Sequence, residues 1–270
     1  MKVEQQFNKE QRDVVNPYFN AIKIMLERLK WDLNLNSWSS RQKIRQLKNI
    51  HKGKKAIIIC NGPSLREVDF SKFSNTDVYY FGLNKINLMF DKTEFRPDSI
   101  VACNHLVIEQ NASFYNNTEI PLFLNSDKSN IIKANKNTIF VNFSSIPRKF
   151  AKDCSMSLCQ GHTVTYVALQ LAYHMGFSEV GLIGCDHYFE TKGPSNKTVI
   201  SGENDPNHFH PKYFADGMKW DLPDLLGSEY HYDYADKIYK QNGRKIVNCT
   251  EGGKLEIFER MPLEEFLKKS

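Results

Sequence analysis

The sequence predicts an α/β fold: a Rossmann-like, mostly parallel sheet with helices on both faces. Short apolar runs rich in β-branched residues recur along the chain, each followed by turn or polar residues, as is typical of buried parallel strands. A helical pattern lies between two of these runs, which is the strand, helix, strand order of a parallel crossover. The chain has 270 residues, 41% hydrophobic and 25% charged, a composition that excludes a disordered or collagen-like protein.

Each apolar run predicts one strand. The predicted strands are Lys55–Cys60, Val78–Leu83, Ser99–Cys103, Ile120–Leu124, Thr138–Phe143, Val180–Cys185 and Lys245–Cys249. Helices are predicted from apolar residues at helical spacing and from capping residues. They cover residues 14–35, Ser40–Ile50 with Ser39 or Ser40 as the cap, Lys85–Phe90, Thr163–Met175 with Gly176 as the stop, Ser228–Gln241 and Pro262–Lys269.

The charge distribution predicts that the chain has two parts. Residues 1–54 hold 12 Lys and Arg against 5 Asp and Glu, so we expect a basic helical leader followed by a Rossmann-like domain over 55–270. The second part has a small negative net charge, which argues against a nucleic-acid partner. Contact of the leader with anionic lipid or a partner remains open, but solvated basic helices are the favoured interpretation. Residues 190–227, rich in Gly, Pro, Asn, Asp and His, predict a lid-like excursion.

The sequence predicts a cytoplasmic protein. No apolar stretch approaches the roughly 20 residues that span a bilayer, and the first nine residues lack the apolar core of a signal peptide. The six cysteines are scattered and lie in apolar runs, as reduced buried thiols do. A position at the inner membrane face would follow if the leader touches lipid. The aromatic content of 12% and the helical leader are compatible with a homo-oligomer.

Candidate ligand-binding residues follow the apolar runs, because ligands of open α/β sheets bind beyond the carboxyl ends of the strands. The first group is Asn61–Leu65. Gly62 allows close backbone approach, Pro63 fixes the turn, and Ser64 is expected to cap a helix whose free N–H groups face a phosphate. Neither a Walker A nor a G-x-G-x-x-G pattern is present, so a structural turn and a phosphate cradle are equally open.

Three further groups are polar but uncharged. Asn84 and Asn104 follow the second and third runs, and a carboxamide suits recognition of a base, a ribose or a phosphate oxygen. Asn is also a common turn residue, and the turn interpretation is the favoured one for each. Thr163 and Thr165 lie at the start of a predicted helix, where a simple cap and a cap facing a ligand have the same geometry.

The last group combines a strand end with a polar loop. Its residues are Gly184, Asp186, His187 and Tyr188 after the sixth run, and His208 and His210 in the loop. They offer an acceptor, titrating bases and a phenol donor. Asp186 and the three histidines would also suit a mixed oxygen and nitrogen metal site, but their spacing matches no zinc signature. We therefore expect no metal site.

These residues resemble those of a known family. The order AIIICNGPSL, FGLN, ACN and a helix followed by GLIGCDHYF is similar to bacterial sialyltransferases of glycosyltransferase family 42. It is also similar to the family-115 domain group, which resembles motility-associated factors and archaeal 6-hydroxymethylpterin diphosphokinase. The segments NHFHPKYFADGMKW and NCTEGGKLEIF look more like that group than like the sialyltransferases. The resemblance covers about residues 54–260. It implies a transferase that moves a sialic-acid-like nonulosonic sugar from a CMP-activated donor to a surface glycan acceptor, with inversion.

The resemblance also implies residue roles. Asn61, Gly62 and Ser64 would line the phosphate site, Asn84 and Asn104 would contact the nucleotide sugar, and Thr163 and Thr165 would hold the cytidine nucleotide. Pro63, Gly184 and His187 would belong to the same binding region. Tyr188 would donate to the leaving phosphate, Asp186 would belong to the catalytic group, and a loop histidine would be the base, with His210 preferred over His208.

One departure and two alternatives accompany this hypothesis. Residues 191–195 contain no tyrosine where the family has a second one, so Lys192, Tyr213 or a bound cation would stabilise the leaving group. No tightly bound cofactor is expected, and stimulation by Mg²⁺ or Mn²⁺ is open. The first alternative is a Mg²⁺-dependent diphosphokinase that uses Asp186 with Asp205 or Asp216. The second is a non-catalytic nucleotide-binding subunit of a polysaccharide assembly complex.

Overall fold

The computed structural model describes residues 16–74, 76–144 and 150–268. The strands are β1 Lys55–Ile59, β2 Val78–Leu83, β3 Ser99–Ala102, β4 Leu122–Asn125, β5 Thr138–Val141, β6 Glu179–Ile183, β7 Thr198–Ile200, β8 Lys219–Asp221, β9 Lys245–Asn248 and β10 Glu259–Arg260. The α-helices are α1 Pro17–Asp32, α2 Leu35–Gln46, α3 His105–Gln110, α4 Ala112–Asn117, α5 Val164–Met175, α6 Leu225–Gln241 and α7 Leu263–Lys268. Short 3₁₀ helices include Pro63–Glu67 and Ile86–Met89.

Eight strands form one parallel sheet in the order β10-β9-β6-β1-β2-β3-β4-β5. Strands β1 to β5 follow one another across one half of the sheet, and β6 then pairs with the other side of β1. This reversal creates a topological switch point between β1 and β6, where an open α/β sheet binds its ligands.

Both faces of the sheet are covered, which confirms the predicted fold class. Along β1, Ala56 and Ile58 belong to the core cluster that contains α5 and α6. Ile57 and Ile59 belong to the cluster on the opposite face. Because neighbouring side chains point to opposite faces, a strand buried on both sides needs a continuous apolar sequence, and this is why KAIIIC is recognisable.

Most element boundaries agree with the predictions to within a few residues. Gly176 ends α5 in the left-handed region with φ of 97°, as predicted. The predicted start of the second helix is wrong: α2 begins at Leu35, capped by the side chain of Asn34. Ser40 lies inside this helix and is buried, and its hydroxyl accepts a hydrogen bond from Phe140 N on β5.

The two N-terminal helices contact the sheet domain at the β5 edge. Trp31 and Ile44 are 5% and 2% exposed and belong to the two core clusters. Lys43 donates to backbone carbonyls at the start of β5, including Thr138 O at 3.0 Å. The division at residue 54 stays a prediction, since α1 and α2 share these clusters with the sheet. In the described ranges, no helix combines the length and apolarity needed to cross a bilayer.

Residues 190–227 pack against the carboxyl edge of the sheet and contain an antiparallel ribbon, β7 with β8, that the sequence analysis does not predict. Arg66 holds this excursion by donating to the carbonyls of His208 and Phe209 at 2.7 and 2.9 Å. Phe209 N in turn donates to Asn61 O at 2.9 Å. These links position the loop histidine above the switch point.

Candidate functional site

The ends of β1 and β6 meet at the switch point. Gly62 N donates to Gly184 O at 2.8 Å, and Ser64 Oγ donates to Asp186 Oδ2 at 2.7 Å. The two sequence segments are thus joined directly. A Cβ atom on Gly62 would lie 1.9 Å from Asp186 Oδ2, so only glycine fits between the two strand ends.

The helix cap predicted at Ser64 is wrong. Its turn is a five-residue 3₁₀ helix with Gly62 at the N-cap and Pro63 at its first position, and Ser64 caps nothing. Ser64 N and Oγ both donate to the Asp186 carboxylate, which takes the place expected for a phosphate. Asp186 therefore anchors the turn to β6, and neither Pro63 nor Ser64 lines the crevice described below.

A crevice with two compartments lies above these strand ends. The smaller, of about 170 Å³, contains most of the residues predicted to bind the nucleotide sugar. The larger, of about 1350 Å³, extends towards β3, β8 and the start of α6. Residues common to both compartments include Asn84, His162, Thr163, His208 and Tyr213. Both compartments are therefore accessible to one ligand at the switch point.

The three asparagines occupy successive strand ends but differ in their contacts. Asn61 donates through Nδ2 to Leu83 O at 3.1 Å, and its buried Oδ1 has no partner within the described residues. Asn84 has φ of 48°, a conformation that Asn tolerates better than most residues. Asn104 caps α3 through Oδ1 and donates through Nδ2 to Asp221 at 3.2 Å. Asn61 and Asn84 thus face the smaller compartment, whereas Asn104 faces only the larger one.

The two threonines also differ. Thr163 caps α5, and its hydroxyl lies 3.3 Å from both Thr165 N and the Tyr232 hydroxyl. Thr165 is buried, with Oγ1 at 3.5 Å from Cys60 Sγ. The N-terminus of α5 opens on the crevice through Thr163, while Thr165 packs between α5 and β1 and lines the smaller compartment from below.

His208 forms a dyad with Asp205. Its Nδ1 lies 2.7 Å from Asp205 Oδ2, and the two side chains are 12% and 2% exposed. Asp205 also accepts hydrogen bonds from the backbone N–H groups of Asn207 and Phe214, which fix its carboxylate. A carboxylate on one ring nitrogen orients an imidazole and leaves Nε2 to exchange a proton.

Aromatic rings surround this dyad. The His208 ring stacks on Tyr213 with centroids 4.0 Å apart and an interplanar angle of 4°, and the rings of Phe214 and Trp220 pack edge-on. Burial raises the pKa of the Tyr213 phenol, which therefore stays a neutral donor at physiological pH. The packing holds His208 in one orientation within both compartments.

A buried lysine that the sequence analysis does not identify lies behind these rings. Lys85 Nζ donates to Tyr213 O and Gln110 Oε1, both at 2.7 Å, and lies 4.6 Å from the Phe214 ring centroid. Burial lowers its pKa from 10.5 to about 8, an effect that the nearby Asp205 charge opposes.

Lys85 is expected to make folding stability depend on alkaline pH. Between pH 8 and 10.5 the unfolded chain binds more protons at this position than the folded chain, so the free energy of unfolding rises across this window. Urea denaturation of the wild type and of Lys85→Met should show a difference between them that increases in favour of the wild type from pH 8 to 10.5. A difference that stays constant with pH would contradict this assignment.

The preference for His210 as the base is not supported by its position. His210 Nδ1 accepts a hydrogen bond from Lys212 N at 3.1 Å, and the residue lines neither compartment. Burial lowers its pKa, and the positive charge of Lys92 adds to this effect. The residue is half-buried and lies outside both compartments.

The side chains considered for a mixed oxygen and nitrogen metal site have separate partners. Asp186 binds Ser64, His187 Nε2 lies 3.0 Å from Glu229, and His208 pairs with Asp205. Across the described parts of the chain, no three His, Cys, Asp or Glu side chains group closely enough to hold a metal ion.

Tyr188 lies at the rim of the smaller compartment and is 42% exposed. Lys254 Nζ and Lys192 Nζ lie 4.1 and 4.7 Å from its ring centroid. Lys192 also donates to Phe189 O and does not line the crevice, whereas Tyr213 does. Of the two side chains predicted to replace the missing second tyrosine, only Tyr213 lines the crevice, and its role stays a prediction.

A second histidine and carboxylate pair faces the same crevice. His162 Nδ1 lies 3.1 Å from Asp224 Oδ2, and Asp224 caps α6 by accepting from Gly227 N. The two residues are far apart in sequence, so no local pattern reveals the pair. Asp205 and His208, by contrast, are three residues apart and could be paired from the sequence DPNH.

Comparison with known proteins identifies the family. The profile described as 6-hydroxymethylpterin diphosphokinase MptE-like matches residues 31–192, more than half of the chain. The chain belongs to this MptE-like family, which confirms that part of the predicted resemblance. No curated protein matches.

Solved structures give distant similarities. The sialyltransferase CstII from Campylobacter jejuni in complex with cytidine-5'-monophosphate is 13% identical, with 78% of this chain and 85% of that chain covered and a TM-score of 0.43. A complex of CST-II with a trisaccharide acceptor and CMP is 16% identical, with coverages of 77% and 86% and a TM-score of 0.35. A UDP-glucuronic acid 4-epimerase from Bacillus cereus with NAD is 9% identical, with coverages of 72% and 54% and a TM-score of 0.27. These similarities are too low to assign a substrate.

Proposed function

We propose that this protein is an inverting glycosyltransferase that moves a sialic-acid-like sugar from a CMP-activated donor to a hydroxyl group of a glycan. The observation that carries the proposal is the buried Asp205 carboxylate on His208 Nδ1, because it orients a base towards a crevice at the switch point. The motif order NGPSL, FGLN, ACN and GCDHY, which resembles that of CMP-dependent sialyltransferases, supports the nature of the donor.

In this reaction His208 Nε2 takes the proton of the acceptor hydroxyl. The acceptor oxygen forms a bond to the anomeric carbon while the bond from that carbon to the phosphate oxygen breaks, and the electron pair leaves with CMP. Negative charge then develops on the phosphate, where the N-terminus of α5 at Thr163 and the neutral phenol of Tyr213 supply hydrogen-bond donors. The larger compartment offers space for the acceptor.

A diphosphokinase is the second candidate, because the family to which the chain belongs takes its description from 6-hydroxymethylpterin diphosphokinase. That reaction needs carboxylates grouped around Mg²⁺. Asp186 is bound to Ser64, Asp205 to His208, and Asp216 to Lys212 at 3.0 Å on the surface. These separate contacts favour sugar transfer over the kinase.

Nucleotide binding followed by a transfer assay tests the proposal. The midpoint temperature of thermal unfolding should rise more with CMP or CTP than with ATP and Mg²⁺. A ligand that binds only the folded state stabilises that state. A panel of CMP-sugars with glycan acceptors should then yield CMP and a glycosylated product. Stabilisation by ATP with Mg²⁺ alone would favour the kinase, and CMP binding without transfer or hydrolysis would favour a binding subunit.

Two matched variants locate the nucleotide. Asn61→Asp places a carboxylate in the smaller compartment and should abolish stabilisation by CMP. Asn125→Asp is the control, since Asn125 Nδ2 makes the equivalent contact from the end of β4 to Cys103 O at 3.1 Å and lies outside both compartments. Equal stabilisation of both variants by CMP would exclude binding at the β1 end.

A further inference from the structure

The outer face of α1 carries a continuous stripe of exposed apolar side chains. At about 100° per residue, seven large residues of the helix and its C-cap fall within an arc of about 120°. They are Tyr18, Phe19, Ile22, Met25, Leu26, Leu29 and Leu33, with exposures from 44% at Leu29 to 82% at Leu33. Isolated exposed apolar residues are ordinary, but a contiguous stripe of this kind marks an interaction surface.

Contacts on the opposite face fix the orientation of this stripe. Trp31 is 5% exposed and packs into the core, Ile24 is half-buried, and Arg28 Nη1 donates to Met156 O at 2.7 Å. Arg28 and Arg41 also pair with Asp32, each at 2.8 Å. The helix therefore turns its less apolar face to the protein and its most apolar face to the outside.

The surroundings of the stripe are aromatic and basic. Leu35 and Trp38, at the start of α2, are 87% and 76% exposed and extend the apolar surface. Lys23 and Lys30 lie along one edge of the stripe, and residues 16–54 contain nine Lys and Arg but only two Asp and Glu. Exposed apolar and aromatic side chains bordered by lysines are characteristic of helices that lie in the interface of an anionic bilayer.

We propose that this surface, α1 with the start of α2, binds an anionic lipid bilayer and lies in its interface. Charge complementarity decides between this occupant and a second copy of the chain, because two such basic surfaces would repel each other. The stripe is also wider than the narrow seam of a two-stranded coiled coil. The proposal is independent of the reaction at the switch point.

Co-sedimentation of the full chain with vesicles tests the proposal. The protein should pellet with phosphatidylglycerol vesicles, bind phosphatidylcholine vesicles at least about tenfold more weakly, and be released by high salt. Ile22→Glu combined with Met25→Glu should lower binding about tenfold or more, because each places a charge in the apolar stripe. Lys23→Gln with Lys30→Gln should reduce the preference for anionic lipid while leaving the apolar contact.

The matched control is Ile200→Glu, which changes an isoleucine that is 70% exposed on β7, away from α1. It should bind vesicles like the wild type, and circular dichroism and thermal unfolding confirm that each variant is folded. No binding to either vesicle type, or equal loss in Ile200→Glu, would overturn the proposal. So would sedimentation equilibrium showing a dimer that dissociates in the Ile22→Glu, Met25→Glu variant, since the stripe would then hold a second copy.

Discussion

Replacement of His208 by alanine is expected to lower kcat for sugar transfer about 10²–10⁴-fold, the usual contribution of a positioned general base. The physical reason is the geometry of the dyad, in which Asp205 holds Nδ1 at 2.7 Å and the Tyr213 ring holds the imidazole plane. KM for the donor should change little, because the base acts on the acceptor hydroxyl. Steady-state kinetics with a CMP-sugar and a glycan acceptor measure both constants.

His210→Ala is the matched control for this substitution. It removes a histidine from the same loop, two residues away, that lines neither compartment, so kcat should stay near the wild-type value. Asp205→Asn should lower kcat, since an amide group can donate to Nδ1 and leave the ring proton on Nε2, which then cannot accept the proton of the acceptor hydroxyl. If His210→Ala lost activity and His208→Ala kept it, the base would be assigned to the wrong histidine.

Replacement of Gly62 by alanine is expected to have the largest effect on stability. The added Cβ would lie 1.9 Å from Asp186 Oδ2 and 2.7 Å from Gly184 O, and a backbone carbonyl cannot move aside cheaply. Overpacking of this kind typically costs about 1–3 kcal/mol, and separation of the β1 and β6 ends should also remove nucleotide binding. Urea denaturation and CMP titration measure the two effects.

Gly202→Ala provides the comparison for this second substitution. Gly202 is exposed, and a Cβ there would meet no atom within 4 Å. Its free energy of unfolding should stay within about 0.5 kcal/mol of the wild type. A Gly62→Ala protein that unfolds at the same urea concentration as the wild type would show that the strand ends are not tightly joined.

The sheet and the location of the crevice can be predicted from the sequence, because the patterns that indicate them lie within short segments of the chain. KAIIIC and VGLIGC are apolar on both sides of the strand, and the rule for open α/β sheets then directs attention to the residues that follow them. The order of the strands does not follow from the sequence, because strand pairing depends on contacts between distant segments. Short elements such as β7, β8 and β10 have too few residues to show a period.

The roles of the side chains at the site are harder to predict from the sequence. Residues from distant segments take up the hydrogen-bonding groups that a local pattern assigns to a ligand or to solvent. Ser64 looks like a cap, but Asp186 arrives from another strand and takes the backbone N–H that a phosphate would need. Lys85 looks like a surface residue after a strand, yet the excursion covers it. His162 and Asp224 meet only because α5 and α6 begin at the same edge.

The site is divided between the sheet and the excursion. Asn61, Gly62 and Thr163 lie at the ends of sheet elements, whereas Asp205 and His208 belong to a segment that Arg66 and Lys85 hold through backbone carbonyls. Loss of the Arg66 guanidinium would therefore loosen the segment that carries the imidazole while leaving the strand ends of the crevice in place.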